Sequence, residues 1–194
     1  LQELGFEVSA APAPDDEALV TKKFGYSFPS TREMSAFARA VTEIDESDPD
    51  AALVAWLSRE ESLFRALERV IVQRRLDEGF TSVDDFLTYS LSVQNRRKAR
   101  MGNAFEHHLQ TLFDQRNLKY ALKPRTEGHN RPDFLFPNEQ AYRDAAFPST
   151  SLLMLGVKST CKDRWRQILT EADRIRLKHL CTLQPGISSR QTDE

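Results

Sequence analysis

The spacing of apolar residues changes along this chain of 194 residues, from a helical period to a strand period. Up to Phe113 the apolar residues recur at intervals of three or four, as in amphipathic helices. Beyond it they alternate with polar residues or form short continuous runs, which are typical of half-buried and fully buried strands. This order predicts an α/β fold in one compact unit, with a mixed central sheet flanked by helices and a helical N-terminal part.

Local signals place the helices of the N-terminal part. Residues 30–33 (STRE) form a capping box at the start of one helix. The pair Asp48-Pro49 offers an N-cap and a first-turn proline to a long helix, which we expect to end at Gly79. A shorter helix is predicted to start at Ser82, and another amphipathic helix to run from Lys98.

The first residues lack both a starting Met and the pattern of a signal peptide. Residues 1–29 include a Pro/Ala-rich stretch and show no clear period, so we interpret them as a linker and expect structure to begin near residue 30. Residues 30–194 would then form one domain, with a mainly helical part in 30–94 and the core in 95–194. A linker-like start suggests that the chain is a piece of a longer protein.

The net charge of −2 conceals a division along the chain. Residues 1–94 hold 9 Lys and Arg against 18 Asp and Glu, whereas residues 95–194 hold 18 against 11. Binding to a polyanion depends on local basic surface rather than on net charge, so the second half is compatible with a nucleic-acid partner. Uneven solvated charge is the other explanation.

Cysteine spacing and hydropathy bear on the cellular setting. Cys161 and Cys181 are 20 positions apart without a CxxC motif, which argues against a disulfide framework and a zinc site. No apolar run approaches the roughly 18 residues that a membrane span needs. We therefore expect a reducing, cytoplasmic setting, with no membrane association.

Two predicted strands carry residues that suit phosphodiester hydrolysis. Asp133 opens the strand in PDFLFP, and Lys158 ends the strand in SLLMLGVKST. Carboxylate oxygens are natural ligands of Mg²⁺, and a nearby ammonium can orient or acidify an attacking water. Pro-Asp and Val-Lys pairs are common in proteins, so this pair alone is weak evidence for a nuclease.

Three segments, RPDF, LGVKST and CKDRWRQILTEADRIR, make the interpretation specific. They closely resemble the C-terminal catalytic domain of EcoRII-type restriction endonucleases, a branch of the PD-(D/E)xK superfamily. The resemblance implies a restriction-endonuclease-like fold and a Mg²⁺-dependent endonuclease that cuts double-stranded DNA at CCWGG sites (W is A or T) to leave 5′-phosphate ends. It also implies a homodimer, and an N-terminal effector domain that binds DNA in the full-length enzyme.

One position departs from the superfamily motif. Gly156 stands where Asp or Glu usually precedes the catalytic lysine by two residues. The resemblance implies that this carboxylate has moved to the following helix, where Glu171 would hold the metal together with Asp133. A helix starting near Asp163 would place Glu171 seven positions after Arg164, on nearly the same face. A solvated helix glutamate is the other interpretation.

Two more residues are candidates for the active site. The resemblance implies a supporting carboxylate at Glu106, which follows Phe105 of the apolar stripe and could reach inward. An exposed helix glutamate fits the position almost as well. Tyr142, between the two motif halves, could donate a hydrogen bond to a phosphate or a water, although an aromatic ring packed under a loop is the commoner case.

A recognition element is implied just after the catalytic strand. There Lys162, Asp163 and Arg164 would enter the major groove. Lys and Arg donate to guanine O6 and N7 and Asp accepts from cytosine N4, so one short segment can read adjacent G·C pairs. The alternative is a plain helix N-terminus capped by Asp163, which is compatible with the first interpretation.

A second basic cluster comprises Arg96, Arg97 and Lys98, at the start of a predicted helix. Cations are unfavourable there because of the helix dipole. Contact with DNA phosphates would account for them, and a surface charge cluster is the alternative.

Two other functions stay open. One is a repair or junction nuclease of the same fold that selects DNA structure rather than sequence. The other is a catalytically silent DNA-binding module, because Gly156 removes the usual acid.

Overall fold

The computed structural model describes residues 14–45, 47–160 and 168–183, which fall into two compact units. The helical unit comprises the described residues up to Leu109, and the sheet unit comprises those from Gln110 onward. The described helices are α1 (Pro14–Phe24), α2 (Thr31–Ala40), α3 (Pro49–Glu78), α4 (Val83–Gln115) and α5 (Glu139–Arg143). The described strands are β1 (Ala121–Leu122), β2 (Phe134–Phe136), β3 (Leu153–Lys158) and β4 (Lys178–Thr182).

The predicted helix caps of the helical unit are confirmed. Ser30 and Glu33 form a reciprocal capping box at the start of α2. Asp48 accepts hydrogen bonds from the N–H groups of Asp50 and Ala51 at the start of α3, and Gly79 caps the other end with φ of 79°. A buried apolar cluster holds this unit together; its members are Val20, Met34, Ala38, Leu63, Ala66 and Leu67.

Structure begins earlier than predicted, so the linker interpretation is wrong for residues 14–24. Those residues form α1, whose Val20 is fully buried. Asp16 is also buried, where it accepts from Ser62 Oγ over 2.6 Å and pairs with Arg59 over 2.8 Å. The helix escaped prediction because polar and acidic residues dominate its first turn and few apolar positions mark its buried face.

A second correction concerns α4, which is one continuous helix rather than two. The predicted boundary at residues 94 and 95 falls inside it, and so does the basic cluster. The polar middle of α4 has partners on α3: Arg97 pairs with Glu68, and Arg100 pairs with Glu60 and Glu61. Because ion pairs hold this stretch, it carries little of the apolar period from which helices are predicted.

The sheet unit is a four-stranded sheet in the order β1-β2-β3-β4. The first three strands are antiparallel neighbours, and β4 runs parallel to β3. This confirms the mixed sheet. Its buried cluster combines strand residues with residues of the segments around them: Leu135, Ala141, Tyr142, Leu152, Met154, Ile168, Ala172 and Ile175. No helix in the described part of the chain combines the length and apolar character that a membrane span needs.

The described part of the segment after β3 departs from the predicted helix, which was to start near Asp163 and include Glu171. Residues 168 and 169 are helical, and the chain then turns. Ala172 has φ of 52°, which is outside the helical region, and Ile175 donates its N–H to the carbonyl of Ala172 over 2.9 Å. Both residues are buried and belong to the apolar cluster of the sheet unit, but they lie in a turn rather than along a helix.

Candidate active site

An acidic side chain beside the start of β2 and a basic side chain at the end of β3 lie close together. The two strands are antiparallel with Phe134 opposite Leu155, so the residue before β2 lies beside the last residues of β3. Lys158 Nζ donates to Oδ2 of Asp133 over 2.8 Å, and the Val157 N–H donates to the same oxygen over 2.6 Å. Asp133 is 8% exposed, so its carboxylate is buried and fixed by the strand backbone.

The other oxygen of Asp133 has a different environment. Both hydrogen bonds that described residues make to this carboxylate end on Oδ2. The backbone is also fixed, because the Asp133 carbonyl accepts from the Lys123 N–H over 3.0 Å. A rigid carboxylate with one oxygen left for another ligand suits metal binding.

A side chain at position 156 would collide with Ile168 as it is now placed. A Cβ atom at this position would lie 2.6 Å from Cδ1 and 2.9 Å from Cγ1 of Ile168. Ile168 is 3% exposed and belongs to the buried cluster of the sheet unit. A core side chain therefore fills the space where a carboxylate at position 156 would begin.

Glu171 follows this isoleucine by three residues, and its N–H donates to the Ile168 carbonyl over 3.2 Å. It stands on the turn after the helical residues, not on the helix that we predicted. Its Oε2 is buried and has no hydrogen-bond partner among the described residues. Burial raises the pKa of Glu171; the Asp133 charge raises it further, while Lys158 and Lys178 act in the opposite direction. Glu171 thus lies within electrostatic range of the Asp133–Lys158 pair.

These carboxylates fit a hard cation. A buried carboxylate oxygen without a partner is costly, and a divalent ion would remove the cost. Asp133 and Glu171 are the described carboxylates in this position, and no group of three or more His, Cys, Asp or Glu able to hold a metal occurs among the described residues. Two protein carboxylates suit Mg²⁺, which usually keeps several waters and takes further oxygens from a bound phosphate.

Sequence similarity to known proteins shows the family of this chain. Residues 64–194 match the family model described as EcoRII C terminal. The chain belongs to the EcoRII C-terminal family. It is 41% identical over 191 residues to the type II restriction enzyme EcoRII of Escherichia coli, which covers 98% of this chain and 47% of that enzyme. The chain therefore spans about half the length of this curated relative.

Solved structures confirm the fold of this EcoRII C-terminal family member. A complex of the restriction endonuclease PspGI with substrate DNA matches with a TM-score of 0.70 at 18% identity, over 90% of this chain and 74% of that one. Metal-depleted Ecl18kI with uncleaved, modified DNA matches with a TM-score of 0.70 at 17% identity, over 92% and 70%. The sheet and its flanking helices thus form a restriction-endonuclease fold.

Tyr142 is a buried residue whose hydroxyl has a partner within the protein. Its hydroxyl donates to Glu127, with 2.7 Å to Oε1 and 2.6 Å to Oε2, and the residue is 3% exposed. Burial and the Glu127 carboxylate raise the pKa of Tyr142. The hydroxyl proton is therefore already engaged, which favours the packed-aromatic interpretation over donation to a phosphate or a water.

The basic cluster at residues 96–98 lies in the middle of α4, so its interpretation as a helix start is wrong. Arg97 Nε donates to both oxygens of Glu68 over 2.8 and 2.7 Å, and the Arg96 guanidinium lies 4.3 Å from the Phe28 ring centroid. Intramolecular partners thus account for part of the charge, whereas Lys98 is exposed. DNA contact by this cluster stays a prediction.

Two further predictions stay untested by the geometry. Glu106 is half-buried on α4 within the helical unit, and its supporting role stays a prediction. Lys162, Asp163 and Arg164 lie outside the described residues.

Sequence reasoning missed the residues that hold the Glu171 segment. They are Glu127, Asn130 and Lys178, each of which hydrogen-bonds to backbone groups of this segment. Beside it, the Arg174 guanidinium donates to the carbonyls of Tyr142, Asp144 and Phe147. No local pattern marks them, because an isolated polar residue in a loop or at a strand start resembles any solvated one.

Proposed function

We propose that this chain is the catalytic domain of a sequence-specific, Mg²⁺-dependent endonuclease that hydrolyses double-stranded DNA at CCWGG sites to leave 5′-phosphate ends. The observation that carries the proposal is the Lys158 ammonium 2.8 Å from the Asp133 carboxylate. This pair is within electrostatic range of the Glu171 carboxylate, whose Oε2 has no partner among the described residues. The 41% identity to a type II restriction enzyme supports the reaction class.

Each residue of this group has a role in such a reaction. Asp133 and Glu171 would hold Mg²⁺, which when bound supplies a Lewis acid for the phosphoryl oxygen and a more acidic water. Lys158 places a positive charge where negative charge develops on the phosphate, and its N–H groups can orient the attacking water. The salt bridge to Asp133 holds this ammonium in a defined place before DNA binds.

The proposed target also implies partners. CCWGG is two-fold symmetric apart from its central pair, so a homodimer in which each subunit cuts one strand matches its symmetry. Lys162, Asp163 and Arg164 would read the G·C pairs. An N-terminal effector domain that binds DNA would belong to the full-length enzyme, in keeping with the 47% of EcoRII that this chain spans. The bacterial cytoplasm is the expected location.

Plasmid digestion tests the proposal. With Mg²⁺ we expect products whose sequenced ends map to CCWGG and which a ligase rejoins directly, because 5′-phosphates remain. Asp133→Asn and Lys158→Met should each reduce the cleavage rate by about 10²-fold or more while DNA binding persists. Lys119→Met, an exposed lysine of the same unit, is the matched control and should cleave normally.

Two results would contradict the proposal. A folded dimer that binds DNA but gives no cleavage at CCWGG would favour a silent binding module. Cleavage of junctions or flaps irrespective of sequence would favour a structure-selective nuclease.

A further inference from the structure

The turn that carries Glu171 has an unfavourable backbone conformation. We define the Glu171 turn as residues 170–173. Within it Ala172 has φ of 52°, in the left-handed region that is unfavourable for a non-glycine residue. Such a residue keeps its conformation only where its surroundings impose it. The neighbours of the Glu171 turn therefore determine where the Glu171 carboxylate lies.

Lys178 is the first of these neighbours. Its Nζ donates to the Ala172 carbonyl over 2.6 Å and also to the Glu171 carbonyl. Lys178 is the first residue of β4, where it pairs in register with Met154 of β3. Because these hydrogen bonds are charge-assisted, one ammonium on a sheet strand holds two successive carbonyls of the turn.

The loop before β2 supplies the other anchors. Asn130 Nδ2 donates to the Thr170 carbonyl over 2.7 Å, at the start of the turn. Glu127 Oε2 accepts from the Asp173 N–H over 3.2 Å, at its end, and the Tyr142 hydroxyl holds the Glu127 carboxylate. This loop leads directly to Asp133, so the anchors connect the segments that carry the two candidate metal ligands.

We infer that Lys178 is a positioning residue for the displaced carboxylate, with Asn130 and Glu127 as secondary anchors. A carboxylate at position 156 would be held by strand β3 itself. Glu171 stands on a turn, so the position of its carboxylate relative to Asp133 depends on the side chains that hydrogen-bond to that turn. The inference rests on the proposed function, since it assigns Lys178 to the metal affinity of the same site.

Lys178→Met tests the inference, because it removes the two donated hydrogen bonds and retains a similar volume. Residues that support metal ligands typically change metal affinity by 10–100-fold. We expect the Mg²⁺ concentration for half-maximal cleavage of a CCWGG plasmid to rise about 10-fold, with a smaller change of rate at saturating Mg²⁺. Calorimetric titration with Ca²⁺ in the presence of uncleaved CCWGG duplex should show the same loss of affinity. Lys119→Met is the matched control.

A second variant covers a failure of the first to fold. Asn130→Ala removes only the anchor at Thr170, and it should shift both metal readings in the same direction by a smaller factor. Folded variants with wild-type Ca²⁺ affinity and wild-type Mg²⁺ dependence would overturn the inference while leaving the proposed function intact. If the wild type binds Ca²⁺ but does not cleave CCWGG, the proposed function fails, and the Ca²⁺ titration still decides the role of Lys178.

Discussion

Ile168 occupies the space directly beside Gly156, so that a Cβ atom on the glycine would lie 2.6 Å from its Cδ1. The isoleucine is 3% exposed and is packed in the core of the sheet unit, which leaves it little freedom to move away. Position 156 and the segment after β3 are therefore coupled. A side chain at 156 would require Ile168 to shift or to be replaced by a smaller residue.

This coupling predicts non-additive effects on stability. Gly156→Ala should lower the free energy of unfolding by about 1–3 kcal/mol through overpacking. Ile168→Ala should lower it by about 2–5 kcal/mol through a cavity. The double variant should lose at least about 0.5 kcal/mol less than the two losses added together, because each change relieves the other. Urea unfolding of the wild type, the two single variants and the double variant measures the four free energies of unfolding.

Gly102→Ala is the matched control for this cycle. Gly102 lies in α4, and apart from the adjoining residues of its own helix a Cβ there would meet no described atom within 4 Å. Alanine should therefore stabilise the helix, by about 0.5–1 kcal/mol. If Gly156→Ala were as harmless as Gly102→Ala, packing against Ile168 would not explain the missing acid.

A second prediction separates the two kinds of basic residue on α4. Arg97 is bound to Glu68, whose side chain is only 5% exposed, so Arg97→Met should destabilise the protein by about 1–3 kcal/mol by leaving a buried acid unpaired. Because this charge is already neutralised, the salt dependence of DNA binding should change little. Lys98→Met should instead reduce the slope of log K against log salt by about 0.9 if Lys98 contacts a phosphate. Fluorescence titrations of DNA binding across a salt series measure this slope. An equal loss of slope in Arg97→Met and Lys98→Met would contradict the assignment.

The two strands that carry the candidate site were predictable from the sequence, whereas the residues that anchor the Glu171 turn were not. The strands with Asp133 and Lys158 were predictable because apolar runs bounded by proline or polar residues mark them locally. The anchors of the Glu171 turn were not, since hydrogen bonds such as those from Asn130 and to Glu127 join residues 40 and 46 positions apart. The continuity of α4 was missed for a similar reason, because partners on α3 stabilise its polar middle.

The third prediction concerns His108, which is fully buried in the helical unit. Its Nδ1 lies 3.1 Å from Arg39 Nη1, and an arginine can only donate, so the ring proton of the neutral histidine is on Nε2, 3.0 Å from Glu60 Oε2. Burial lowers the pKa of His108 from its ordinary value; the neighbouring Glu60 carboxylate opposes this shift, and the charges of Arg39 and Arg100 add to it. The unfolded chain therefore binds the proton more readily than the folded one.

Stability should consequently decrease as the pH falls through about 6.5, since the unfolded state gains protons there. Urea unfolding between about pH 7.5 and 5.5 should show this loss, and His108→Asn should flatten the profile. His107, whose pKa burial also lowers, is the comparison, and His107→Asn should flatten it less because His107 is only half-buried. An unchanged pH profile in His108→Asn would show that the ring does not titrate as proposed.

The fourth prediction concerns specificity and tests Arg164. If this guanidinium donates to guanine O6 and N7 of the target, Arg164→Ala should remove about 1–3 kcal/mol of discrimination between CCWGG and sites that differ at one G·C pair. Metal binding should survive, because Asp133 and Glu171 are unchanged, and Ca²⁺ titration checks this. Arg74→Ala is the matched control, because it removes an exposed arginine from α3. The surface ion pair of Arg74 with Glu78 contributes little to stability. The ratio of the cleavage rates on cognate and singly substituted duplexes measures this discrimination. An unaltered ratio in Arg164→Ala would exclude this arginine from base recognition, and another part of the chain would then have to provide the proposed specificity.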